Sequence, residues 1–201
     1  GNQTRGLFSG GWTGSATSNH IDYVTIAQTG NSVDFGDLSV KRESGACCAS
    51  QTRGIITGGR NQPANAALNS MEFVTISTLG NGSDFGDMTD AIFATQSCSN
   101  STRGLIFMGY DGSSNHNIID FITIATTGNA ADFGDTMAAM QYPLGAVASP
   151  VRGVVGGGLT PSAQNVIQYV QIMSTGDAVD FGDLTGSKSE ASGCSNSHGG
   201  L

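Results

Sequence analysis

Apolar and polar residues alternate along four short stretches of the chain: Ile21-Asp22-Tyr23-Val24-Thr25-Ile26, Met71-Glu72-Phe73-Val74-Thr75-Ile76, Ile119-Asp120-Phe121-Ile122-Thr123-Ile124 and Ile167-Gln168-Tyr169-Val170-Gln171-Ile172. A period of two, carried by β-branched and aromatic residues, predicts strands. After each stretch comes Gly followed by Asn or Asp, at Gly30-Asn31, Gly80-Asn81, Gly128-Asn129 and Gly176-Asp177. That pair predicts a tight turn. The tetrapeptide Asp-Phe-Gly-Asp then follows, at Asp34–Asp37, Asp84–Asp87, Asp132–Asp135 and Asp180–Asp183. Upstream of each stretch stands an Arg-Gly step, at Arg5, Arg53, Arg103 and Arg152, with three or four mostly apolar residues and a Gly behind it. The tetrapeptide recurs at spacings of 50, 48 and 48 residues. The chain is therefore a tandem repeat of four units, over about 4–51, 52–101, 102–150 and 151–197.

Each unit reads as four short strands, a to d. In the second unit they fall at Gly45 to Ser50, Gly54 to Thr57, Met71 to Ser77 and Ser83 to Met88. No segment carries a 3.6-residue apolar period long enough for a helix. One such unit cannot bury both of its faces, whereas stacked units can. Thirty Gly and only 12% charged residues suit short strands joined by tight turns. The fold class expected is all-β.

A pair of glycines ends the second strand at Gly10-Gly11, Gly58-Gly59 and Gly157-Gly158, with Met108-Gly109 in the third unit, and an aromatic strand follows. With four strands in about 50 residues, this pattern resembles kelch repeats. The resemblance covers the whole chain. It implies a single domain over 1–201, a kelch-like β-propeller of four-stranded antiparallel blades. The Trp usual in the fourth kelch strand is absent, and Phe35, Phe85, Phe133 and Phe181 are its expected replacements as core anchors. The wording Ile-Asp-Tyr-Val-Thr-Ile, Thr-Gly-Asn, Asp-Phe-Gly-Asp is similar to repeats of virion and tail-fibre proteins of tailed bacteriophages. That similarity implies a non-enzymatic structural or adhesive module of a phage particle, in the virion or outside the cell. The alternative is a generic kelch protein–protein interaction domain, secreted or cytoplasmic.

The chain starts and stops at the same point of the repeat, since His198-Gly199-Gly200-Leu201 aligns with Thr4-Arg5-Gly6-Leu7. If a four-unit ring closes, a C-terminal strand at 191–197 completes the N-terminal blade. Four consecutive units of a longer array fit the same overlap.

Charge narrows the partners. The formal net charge is −8, and the densest basic spot, Lys41-Arg42, is followed at once by Glu43. Nucleic acid and anionic membrane surfaces select for basic stripes, so neither is expected as a partner. No run of 18 apolar residues predicts a membrane-spanning helix, and no signal-peptide pattern opens the chain. A protein or carbohydrate surface, other virion components or further copies of the chain remain as partners.

Each chemical motif has a structural explanation. Asp-Phe-Gly-Asp recurs at the repeat period, whereas a kinase carries its magnesium motif once beside other signatures. Its carboxylates match neither an EF-hand nor a nonapeptide calcium repeat, so no metal is expected. Arg5, Arg53, Arg103 and Arg152 are expected to cap carbonyls or pair with acids near the c–d turn. Cys48, Cys98 and Cys194 share one register with Val147, which predicts small buried hydrophobes rather than disulfides or zinc ligands. No G-x-S-x-G elbow occurs. Neither catalysis nor a cofactor is expected.

The b–c loops differ most between units. They run Trp12 to His20, Arg60 to Ser70, Tyr110 to Ile118 and Leu159 to Val166, and they open at one end of the blades together with the d–a connections. Trp12, His20, Arg60, Tyr110, Asp111 and His116 are the candidate ligand-binding residues, because exposed aromatic and polar loop residues suit sugar or protein contact. For Trp12 and Tyr110, packing over the blade edge is the competing expectation.

Overall fold

The computed structural model of the chain describes residues 1–143, 145–190 and 192–195. These residues contain strands and no helix. The strands form antiparallel meanders whose order in space follows their order in sequence. The first sheet is β1 (Arg5–Ser9), β2 (His20–Thr25) and β3 (Val33–Asp37). The second is β4 (Ala46–Ala49), β5 (Arg53–Thr57), β8 (Ser70–Thr75) and β9 (Ser83–Asp87), and its b–c loop adds the hairpin β6 (Arg60–Asn61) and β7 (Ala66–Ala67). The third is β10 (Gln96–Ser99), β11 (Arg103–Tyr110), β12 (Asn115–Thr123) and β13 (Ala131–Met140). The fourth is β14 (Gly145–Ala148), β15 (Arg152–Gly156), β16 (Gln164–Gln171) and β17 (Val179–Lys188).

The recurring tetrapeptide builds a β-bulge. In the second sheet Met71 pairs with Gly86 and Glu72 with Asp84, so Phe85 is the extra residue. The same slip leaves out Phe35, Phe133 and Phe181 in the other sheets. A bulge bends its strand and re-aims a side chain. Here it points the Phe ring edge-on at the aromatic residue of the neighbouring c strand, with centroids 6.2 Å apart for Phe73–Phe85. The Arg of the Arg-Gly step lies over that aromatic ring, as Arg53 does over Phe73 at 4.5 Å.

Successive sheets meet through one joint, made three times. The turn of the second unit docks on the bulge of the first: Gly80 N donates to Phe35 O at 2.9 Å, Gly82 N to Asp37 O at 2.8 Å, and Asp37 N to Asn81 Oδ1 at 3.0 Å. Gly128, Ala130 and Asn129 dock likewise on Phe85 and Asp87, and Gly176, Ala178 and Asp177 on Phe133 and Asp135. Arg5 Nη1 donates to Ile76 O, Arg53 Nη1 to Ile124 O and Arg103 Nη1 to Ile172 O, always into the next unit. The polar second residue of the c strand reaches back across the joint: Glu72 accepts from Ser39 N, Asp120 from Thr89 N and Gln168 from Met137 N. Apolar side chains fill the space between, one cluster per joint. Phe35, Leu38 and Ile21 pack against Ile56 and Val74 of the next unit, and equivalent sets surround Phe85 and Phe133. The core thus lies between sheets rather than within one.

Three expectations change. Phe181 is 53% exposed where Phe35, Phe85 and Phe133 are 2%, because among the described residues no turn docks on its bulge. Arg152 lies over Tyr169, yet among the described residues it has no next-unit carbonyl to cap. Cys194 is exposed, unlike Cys48 and Cys98, whose sulfur atoms are covered by the Arg-Gly glycine of the following unit, Gly104 and Gly153. All three departures have one cause: among the described residues no further sheet packs on the fourth as each of the others is packed upon. Of the strand expected at 191–197, residues 192–195 lie beside β14 and are not paired with β1; the remainder lies outside the described residues.

Candidate binding surface

The six candidate residues all lie at the end of the sheets where b strands stop and c strands begin. There the b–c loops are tied to one another from unit to unit. In the first loop Trp12 and Thr17 bridge, and Thr17 Oγ1 bonds Asn61 Oδ1 and Gln62 O of the second loop. Asn115 Nδ2 of the third loop donates to Leu159 O of the fourth, at 3.4 Å. A further ladder runs between loops and d–a connections, through the bridges Glu43↔Arg60, Phe93↔Tyr110 and Gln141↔Leu159. The divergent loops therefore present one surface rather than four independent flaps.

Arg60 is held on two sides. Its Nε bonds Glu43 Oε1 at 2.8 Å, and its guanidinium lies over the Phe93 ring at 4.9 Å. Tyr110 packs edge-on against the same ring, with centroids 5.4 Å apart. Tyr110 thus follows the packing alternative, while Trp12 stands 52% exposed. Arg60, Phe93 and Tyr110 form a rigid step of one cation and two rings.

Beside that step, Asp111 and His116 face each other across the third hairpin, with Nε2 to Oδ2 at 3.1 Å, and Asp90 Oδ2 lies 3.4 Å from His116 Nδ1. Asp111 caps its own turn by accepting from Ser113 N and Ser114 N. The Ser114 amide, the His116 ring and the Ser113 amide, in that order, hold the Asp111 carboxyl well below its usual range, at about 2. His20 pairs with Asp37 at 3.0 Å in the first unit, and no hydrogen bond or ion pair among the described residues links its side chain to the other five candidates.

Arg42 carries a role that sequence reading missed. It is fully buried and binds Glu72 Oε1 at 2.7 Å, Ser70 O at 2.8 Å and Gly58 O at 3.0 Å. It pins the first d–a connection to the second b–c loop. A basic pair in a charge-poor chain gave only a weak hint of this. No group of three His, Cys, Asp or Glu side chains converges as a metal site among the described residues.

Scanned against protein-family models, the chain matches none, and a search of curated proteins gave no match.

Proposed function

We propose that the chain is a non-enzymatic binding module whose four sheets are blades of a kelch-like β-propeller, and that it recognises a protein or glycan surface through its b–c loops. One contrast carries this reading. Strands, bulges and c–d turns are near copies from unit to unit, whereas the loops at the opposite end differ in length and content. Loops on a rigid scaffold are where recognition concentrates. Trp12, exposed at the first loop, and the Arg60, Tyr110, Asp111 and His116 group at the second and third give that end an aromatic and polar character suited to sugar rings or protein side chains. The repeat wording favours a structural or adhesive part of a phage particle.

Replacing Trp12, Tyr110 and His116 together by Ala tests the proposal. Binding to glycan arrays, host cells or isolated particle components should fall away while the circular dichroism spectrum stays that of a β protein. Full binding by the folded triple variant would remove the site from this end. Binding to a discrete soluble protein alone would favour a generic interaction domain over a particle component.

A further inference from the structure

The first and fourth sheets carry the two halves of a joint that the described residues do not make. On the fourth sheet Val147, Val154, Ile167, Phe181 and Leu184 line an apolar groove of about 290 Å³. In the three preceding units the equivalent space is filled by the next unit, whose residues at the places of Ile56, Val74 and Ile76 are buried. The first sheet bears those same places on Phe8 and Ile26, both 59% exposed.

The inner strands β4, β10 and β14 stand side by side around one cavity of about 200 Å³. Gly1 lines that cavity next to β4, and residues 193–195 line it next to β14. Gly1 and Ser195 hold the same place in the repeat. Asn2 caps the first turn as Asn100 caps the third, by accepting from the amides two and three residues on, which puts Gly1 in register with Ser99. Ser195 Oγ accepts from Ala148 N just as Ser99 Oγ accepts from Ala49 N, with 3.4 Å in both. A ring closing at four units would bring Gly1 and Ser195 to one place and bury Phe8, Ile26 and Phe181. Here Gly1 and residues 193–195 both line the cavity beside the three inner strands, and those three side chains stay open.

We infer that the groove of the fourth sheet is the seat of a fifth repeat of the same pattern, continuing from the inner strand at 192–195. Its requirements are set by the three joints already made. The occupant needs apolar residues at the places of Ile56 and Ile76, a Gly-Asn turn to meet the Phe181 bulge, and an acceptor at the place of Glu72. Such a unit would give Arg152 its carbonyl and cover Phe181. This inference rests on the blade reading of the sheets and not on what the loops bind.

The test is to extend the chain after Leu201 with a copy of residues 8–44, which supplies the rest of strand b and strands c and d. With Trp12 changed to Phe in both copies, Phe181→Trp reports the groove by fluorescence. Expected are blue-shifted emission in the extended protein against the parent, a monomer in sedimentation, and a higher melting temperature for the extended chain without the reporter. Unchanged emission and melting temperature would overturn the inference. So would a reporter already buried in the unextended parent, whether as a monomer closed on its own first sheet or as a head-to-tail complex of two copies. None of these outcomes bears on the loop variants, which read binding alone.

Discussion

A Cβ placed on Gly36 would stand 2.5 Å from the carbonyl oxygen of Gly80. The bulge of one unit and the turn of the next therefore meet backbone to backbone, with no room for a side chain. Gly86 meets Gly128 and Gly134 meets Gly176 in the same way. Each bulge glycine also has positive φ, between 131° and 148° across Gly36, Gly86, Gly134 and Gly182. The Gly of Asp-Phe-Gly-Asp thus answers two demands, a local one of conformation and a long-range one of close approach. Gly182 answers only the first, since nothing stands within 4 Å of its Cβ position.

That difference separates the two demands experimentally. Gly86→Ala meets both strain and a fixed backbone, while Gly182→Ala meets strain alone, worth about 1–3 kcal/mol for such conformations. The urea midpoint should fall further for Gly86→Ala than for Gly182→Ala. Equal shifts would mean that turn docking contributes nothing to the joint.

The bulge phenylalanines divide along the same line. Phe133 lies at the centre of the joint between the third and fourth sheets, and its replacement by Ala should cost about 3–5 kcal/mol. Phe181→Ala removes a half-exposed ring and should cost well under half of that. Paired denaturation curves decide it, and the order reverses only if Phe181 is covered in solution.

The repeat period, the strands and the turn glycines were legible in the sequence because each is a local pattern. The joint was not. Alternation alone sets Glu72, Asp120 and Gln168 facing water, yet all three are at most 2% exposed and reach across to the preceding unit. What betrays them is that their position is polar in every unit, at Asp22, Glu72, Asp120 and Gln168. The bulge at Phe was hidden because it is a property of pairing rather than of composition. The exposure of Phe181 was hidden for a different reason. A periodic sequence carries the same signal at a unit whether or not a neighbour covers it. At the candidate surface the loops were legible as divergent, but the step of Arg60 on Phe93 against Tyr110 depends on contacts between units that no local pattern encodes.

The cysteines offer a chemical check on the joints. Cys48 and Cys98 are buried under the following unit, and burial pushes the Cys98 thiol up to about 12 and the Cys48 thiol higher still. Thiolate is the reacting form, so both should resist alkylation in the native protein at pH 8. Cys194 is exposed and should label first; Cys47 reaches the surface too, but desolvation raises its thiol pKa and its sulfur lies 3.7 Å from Ser9 Oγ, so it should follow more slowly. Mass spectrometry of a timed iodoacetamide reaction should find Cys194 modified first, Cys47 later, and all four only on unfolding. Early labelling of Cys98 would show that the joint over it is open.

Asp120 supplies a prediction with a pH signature. Its carboxylate is buried across a joint, where it accepts from Thr89 N at 2.9 Å and from Thr89 Oγ1 at 2.7 Å. Desolvation raises its pKa, and the two Thr89 bonds offset that only in part. An acid whose folded pKa lies above its unfolded value of about 3.9 is bound to its proton more tightly in the folded state. Ionisation therefore works against folding. The stability associated with this group is complete below the unfolded pKa and is lost as pH rises through the folded one. The equivalent residue of the fourth unit, Gln168, is uncharged and makes the same backbone bond to Met137 N. Asp120→Asn keeps an acceptor for Thr89 N, and the Thr89 hydroxyl can turn to accept from the new amide. The variant should thus be at least as stable as the parent at pH 7. Its advantage should shrink as pH falls and disappear below about pH 4, where the parent carboxyl is protonated in both states. Urea unfolding of the two proteins between pH 3 and 8 measures this directly. A variant less stable than the parent at pH 7, with a deficit that closes on acidification, would mean that the charge itself strengthens the Thr89 bonds by more than its burial costs.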